Sequence, residues 1–420
     1  MTPSADGAGK DRRSPSDGGP FQWLEGGITA VPGILAAGLH CGIKPTTARD
    51  LALIYSSAPA TAAGVFTTNR IQGAPVKVSR ERLRSEVAQA IVASSGCSNV
   101  CTGEQGLRDA REMADVVAQH LRIPAERVLV ASTGIIGRYL PMDRIRPALP
   151  KLVKALSPQG SRQAAEGIMT TDTHPKEAAL RVEIGGRPIT IGAIAKGTGM
   201  IHPMMATMLC FAATDLAVER DALQAAIRRA ANGSFNRITV DGDQSTSDTV
   251  VILANGLAEN RALKRGDRRL RSFQQALDAL TQRLAVMQVR DGEGATMVID
   301  IQVRGAKTRR DAVTAARAIA NSNLFKTAMA GRDPNWGRIM AAVGAAGIAV
   351  QEERIGVWYG EEQVAAGGRP REGVRWDRVK AELQKPTVTI TVDLGLGTAQ
   401  DHVWTCDLTQ DYVKINTGTS

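Results

Sequence analysis

The stretch Lys196-Gly-Thr-Gly-Met-Ile-His-Pro-Met-Met-Ala-Thr-Met-Leu209 places a lone threonine, Thr207, behind a small residue, Ala206, near the middle of a 420-residue chain. A threonine hydroxyl is a poor nucleophile at neutral pH unless a base takes its proton, and neither His nor Asp stands beside Thr207 in sequence. Scission of the Ala206-Thr207 bond would supply that base. The new α-amine, with a pKa of roughly 7.7 to 8, would be held covalently beside its own hydroxyl. Without this surrounding motif an Ala-Thr pair reads as ordinary strand. With it, cleavage of the chain would be its activation.

Outward from that stretch, period-2 alternation predicts strands at Leu51-Ala-Leu-Ile-Tyr55, Arg127-Val-Leu-Val-Ala131, Thr190-Ile-Gly-Ala-Ile-Ala195 and Thr387-Val-Thr-Ile-Thr-Val392. Helical spacing runs over 106–121, 216–232, 270–289 and 311–321, with Asp221 and Asp311 placed as early-turn acids. Strands and helices alternate in both halves, which gives a layered α/β class without choosing an architecture. No internal repeat is visible. Residues 1–20 read as a disordered tail and 365–373 as linker.

Composition narrows the function. Hydrophobic residues make up 43% of the chain and aromatics only 4%, so the core is expected to be aliphatic and rich in small residues. The net charge of +10 raises nucleic-acid binding. The basic residues are dispersed, however, and the densest cluster, Arg261 to Arg271, has no interleaved aromatics on which bases could stack. It reads as a solvated face, and no nucleic-acid partner is expected. The five cysteines form no pairing framework, no secretory h-region follows Arg12-Arg13, and no apolar run spans a bilayer. A reduced, cytoplasmic protein without a membrane partner is the expectation.

Several residues carry the marks of acyl-transfer chemistry. Val128-Leu-Val-Ala-Ser-Thr-Gly134 is a strand running into a turn whose glycine can present a backbone N–H without side-chain obstruction, as an oxyanion hole needs. Lys196, followed by Gly-Thr-Gly, is a cation with little flanking bulk to hide it from a ligand. Glu293 stands between two glycines, where a carboxylate can approach a ligand closely. Asp241, Asp243 and Asp248 do not match a Ca²⁺ loop and are read as backbone-capping residues near the site. No metal site is assigned. No Walker loop or dinucleotide fingerprint occurs, so no cofactor is required.

The motif around Thr207, with Pro59-Ala-Thr-Ala-Ala-Gly-Val-Phe-Thr-Thr-Asn-Arg70, Cys101-Thr-Gly-Glu-Gln-Gly106, Ala131-Ser-Thr-Gly-Ile-Ile-Gly137, Met169-Thr-Thr-Asp172, Phe235-Asn-Arg-Ile-Thr-Val-Asp-Gly-Asp243, Asp291-Gly-Glu-Gly-Ala-Thr296 and Asp333-Pro-Asn-Trp-Gly-Arg338, resembles the glutamate N-acetyltransferase (ornithine acetyltransferase) family of arginine biosynthesis. The resemblance runs from about Gly27 to the C-terminus. It implies a layered α-β-β-α sandwich similar to N-terminal-nucleophile enzymes, with a smaller C-terminal α/β substructure. It also implies self-cleavage into an alpha chain, 21–206, and a beta chain, 207–420, assembled as a heterotetramer of two of each.

The implied reaction moves acetyl from N2-acetylornithine to L-glutamate through acetyl-Thr207, with acetyl-CoA as a further donor in some members. The resemblance assigns Thr133 and Gly134 as oxyanion donors, and Thr170, Lys196, Thr207, Glu293, Asn416 and Ser420 as substrate contacts. A self-cleaving amidohydrolase or aminopeptidase of the N-terminal-nucleophile type is the alternative. The chain departs from the family at Met297, Ser247 and Cys97-Ser98, and it ends one residue short after Asn416.

Overall fold

The structure, a computed structural model, describes residues 20–202 and 208–417. The tail through residue 19, the Ala206-Thr207 bond and Ser420 lie outside the described residues. The first half of the chain and part of the second supply β1 (Phe21–Leu24), β2 (Ile34–Leu39), β3 (Leu51–Phe66), β4 (Val87–Cys97), β5 (Val128–Ile135), β6 (Lys176–Ile184), β7 (Arg187–Lys196), β8 (Leu209–Thr214) and β9 (Thr249–Ala254). They hydrogen-bond in the order β1-β6-β7-β8-β9-β3-β4-β5, with β2 also on β3.

The long strand β3 makes this one sheet behave as two. Its first residues pair with β2 and β4, whereas Thr61 to Phe66 pair with β9. A register shift with β4 falls between Tyr55 and Ala60, at Pro59, whose ring cannot donate to a ladder. The sheet turns back on itself there. Ala52, Ile54, Ile91, Leu129, Phe211 and Val251 then meet in one inner cluster.

The alternate residues of the same strands face outward. Leu53, Val92 and Val130 pack on helices Gly103–Leu121 and Met142–Lys154, while Ile191, Cys210 and Ile252 pack on helices Arg220–Gly233 and Leu270–Arg290. The result is the expected helix-sheet-sheet-helix layering, and the abundant alanine lets the layers approach closely.

The remainder forms the expected smaller α/β unit. Its strands are β10 (Val298–Ala306), β11 (Gly356–Tyr359), β12 (Glu362–Ala366), β13 (Arg369–Pro370), β14 (Thr387–Asp393) and β15 (Ala399–Cys406), ordered β13-β12-β11-β14-β10-β15. The alternation of β14 sends Val388, Ile390 and Val392 into a core with Ala316, Phe325, Ile339 and Val379 from four helices. Met297, one of the departures from the family pattern, is buried in that core.

Two sequence expectations are corrected. Residues 365–373 are no linker: Ala365 pairs with Pro370 and Ala366 with Arg369 around Gly367 and Gly368, whose φ of 58° and 70° suit the tight primed turn of a hairpin. The helix expected from Leu216 begins at Arg220, because Val218 is drawn into a parallel bridge with Leu263. Among the described residues no helix is long and apolar enough to cross a membrane.

Candidate active site

A cleft of about 680 Å³ opens where the ends of β5 and β7 meet the last helix, Gln410–Thr417. Thr133, Gly134, Thr170, Lys196, Glu293 and Asn416 all line it. Thr133 and Gly134 close β5 beside β4, where Gly96 pairs with Gly134 and a bulge follows at Cys97. Gly134 has φ +127°, and a Cβ there would stand 2.4 Å from the Gly96 carbonyl carbon, so only glycine lets the two strand ends meet.

Lys196 is the last residue of β7, and its ammonium is buried. It donates to Thr170 Oγ1 at 2.8 Å and lies 3.9 Å from Asp172 Oδ2. Burial draws its pKa down, against the attraction of the Asp172 carboxylate. Glu293 is fastened by its own N–H to Thr198 O at 3.0 Å, and its carboxylate occupies the space a Cβ on Gly199 would take. Asn416 Nδ2 donates to Glu293 Oε2 at 2.7 Å.

Thr207, Ala206 and Ser420 are outside the described residues, but both flanks of the Thr207 segment are defined. Lys196 and Leu209 are register partners on β7 and β8, and Met208 N donates to Asp248 Oδ1 at 2.9 Å. Asp241 accepts from Met200 N, Ile201 N and Asp243 N at 2.5, 2.9 and 3.1 Å. Asp241, on the cleft lining, and the buried Asp248 thus cap backbone, as expected; Asp243 also lines the cleft.

The sequence reading missed the ionic support beneath the cleft. Asp172, with its side chain fully buried, accepts from Lys176 Nζ at 2.7 Å, Gly197 N at 2.9 Å and Thr170 N at 3.0 Å, and Lys176 Nζ also reaches Asp291 Oδ2 at 2.5 Å. Both acids sat in motifs already singled out, but nothing local showed which cation they meet. Lys44 and Arg138, which also line the cleft, stand in no such readable pattern.

Burial alone would raise the Asp172 carboxyl; the Lys196 and Lys176 ammonium groups outweigh it and hold the group at about 2. A depressed carboxyl contributes stability that is present above its ordinary 3.8 and lost as pH falls through about 2. Urea midpoints should therefore drop between pH 4 and pH 2, and Asp172→Asn should flatten that dependence. An unaltered acid limb in the variant would show that other carboxylates govern it.

The ArgJ family model matches residues 35–419. The chain belongs to the ArgJ family. It is 51% identical over 400 residues to "Arginine biosynthesis bifunctional protein ArgJ" of Symbiobacterium thermophilum, covering 94% of this chain and 99% of that one. The protein of the same name from a Synechococcus is 46% identical over 405 residues, covering 94% and 98%.

Among solved structures, an arginine biosynthesis bifunctional protein ArgJ from Bacillus halodurans aligns at 41% identity and a TM-score of 0.48, over 50% of this chain and 98% of that one. An ornithine acetyltransferase from Mycobacterium tuberculosis, solved with ornithine, aligns at 36% identity and 0.41, over 44% and 98%. Family membership makes the chain an acetyltransferase of arginine biosynthesis, as the motifs implied.

Proposed function

We propose that the enzyme transfers acetyl from N2-acetylornithine to L-glutamate through an acetyl-Thr207 intermediate, after cleaving itself between Ala206 and Thr207. The observation that supports this is that Lys196, on the N-terminal side of the Thr207 segment, lines the cleft with Thr133, Gly134 and Glu293, while Met208, on its C-terminal side, is held by Asp248, next in sequence to the cleft-lining Ser247. The Thr207 amine takes the proton of its own hydroxyl, and the hydroxyl oxygen attacks the acetyl carbonyl. Thr133 and the Gly134 N–H receive the developing oxyanion. Lys196 and Thr170 hold the α-carboxylate common to donor and acceptor, and Glu293, braced by Asn416, meets the donor's side-chain ammonium. Ornithine departs with a proton, and the glutamate α-amine then takes the acetyl group.

The alpha chain, 21–206, and beta chain, 207–420, stay together because β8 lies between β7 and β9 in the middle of the sheet. Two of each form a heterotetramer in the cytoplasm. Native mass measures that assembly. No step uses a bound cofactor, and acetyl-CoA as a second donor is tested by supplying it in place of N2-acetylornithine.

Initial rates with both substrates varied should give parallel double-reciprocal lines, since ornithine must leave before glutamate binds. Intersecting lines without a trappable acetyl-enzyme would mean direct transfer, and acetate as the main product would favour the amidohydrolase. Lys196→Ala should lower kcat/KM for both substrates by roughly tenfold to hundredfold, the worth of a charge-assisted hydrogen bond of about 1.5–3 kcal/mol. Unchanged kinetics in a fully cleaved variant would remove the lysine from the site.

A further inference from the structure

The cleft faces a charge problem. With the α-carboxylate anchored at Lys196, the donor's side chain ends in an ammonium and the acceptor's in a carboxylate. Glu293, with Asp241 and Asp243 on the same lining, attracts the first and repels the second. The acceptor needs a cation elsewhere on the wall.

Lys44 is a cation that the fold fixes at that wall. Its loop is gathered around the buried Asp50, whose Oδ1 accepts from Cys41 N at 2.7 Å and whose Oδ2 accepts from Gly42 N, Ile43 N and Lys44 N at 3.0, 2.8 and 3.2 Å. The aliphatic stem of Lys44 crosses Gly96, where an added Cβ would stand 3.1 Å from Lys44 Cγ. Gly96 is the register partner of Gly134, so the stem passes beside the oxyanion element.

The ammonium donates to the Arg49 carbonyl at 2.6 Å. That partner is neutral, and Lys44 lines both this cleft and the neighbouring cavity that holds Arg49 and Asp172. Burial draws the lysine's pKa down to about 8, against the pull of Asp50. Arg138, the other basic residue on this side, is exposed at the rim.

We propose that Lys44 receives the side-chain carboxylate of the acceptor amino acid and thereby selects glutamate, an inference that rests on the acetyl-transfer reading above. One anchored α-carboxylate then serves two side chains of opposite charge, the ammonium turned toward Glu293 and the carboxylate toward Lys44.

Lys44→Met keeps the stem over Gly96 and removes the charge. Rapid quenching after addition of N2-acetylornithine reads acetyl-enzyme formation, and steady-state acetylglutamate production reads the acceptor. The KM for glutamate should rise roughly tenfold to hundredfold, the scale of one charge-assisted hydrogen bond. The preference for glutamate over glutamine should fall by a similar factor, Lys44→Arg should restore part of both, and the donor half-reaction should stay at the wild-type rate.

That unchanged half-reaction also reports that the variant is folded. Equal losses in the two half-reactions, an unchanged KM for glutamate, or the same selective loss from Arg138→Met alone overturn the assignment. A wild-type protein that forms no acetyl-enzyme overturns the acetyl-transfer reading and Lys44 with it. Failure of Lys44 alone leaves the wild-type burst intact.

Discussion

Thr207→Ala should yield a single uncut polypeptide of 44.6 kDa and no measurable acetyl transfer, where the wild type should give residues 1–206 and 207–420, each about half that mass. In the proposed mechanism, one substitution removes the attacking hydroxyl and, by preventing scission, the α-amine proposed as its base. Loss of an activated nucleophile elsewhere lowers kcat on the order of a millionfold, so activity should fall below detection. Thr207→Ser keeps both groups and should still cleave and turn over. Intact mass under denaturing conditions, paired with the acetyl-transfer assay, reads both effects. A wild-type preparation that is full-length and fully active would end the mechanism outright.

Gly134→Ala should cost kcat a factor of roughly a hundred to a thousand, the effect of displacing one oxyanion donor. The added methyl would meet the Gly96 carbonyl carbon at 2.4 Å and Cys97 N at 2.7 Å, and both are backbone atoms that no rotamer change can move aside. The backbone at φ +127° is also one that an L side chain rarely adopts. The end of β5 must therefore shift away from β4, carrying the Gly134 N–H and Thr133 out of line. Acetyl-enzyme formation should slow with kcat, and KM should move far less, because Lys196 and Glu293 stand on other elements. A cleaved Gly134→Ala enzyme with wild-type kcat would exclude this glycine from the oxyanion hole.

The layered α/β class was legible because alternation in Leu51-Ala-Leu-Ile-Tyr55 and Thr387-Val-Thr-Ile-Thr-Val392 is a local property of strands with two unlike faces. The same reading stopped β3 at Tyr55, although it continues to Phe66. Pro59 and the serines before it look like a break, and only pairing with β9 beyond the bend shows that the strand goes on. The glycines at 367 and 368 suggested a linker for a related reason: a hairpin turn and a flexible connection share a composition until the flanking residues pair.

At the site, the sequence by itself determined which residue types could do the chemistry. The small-residue segment around Thr207, the Ser-Thr-Gly turn ending at Gly134 and the Gly-flanked Glu293 are each written in a few adjacent letters. Only the tertiary structure decided that Thr133, Thr170, Lys196, Glu293 and Asn416 face one cleft, since they come from two strand ends, two loops and the final helix. Only it decided that Lys176 lies between Asp172 and Asp291, the second of them 115 residues away. A nucleophile's immediate neighbours are held by covalent bonds and so appear in sequence, whereas the partner of a buried charge is chosen by which surfaces the fold brings out of water together.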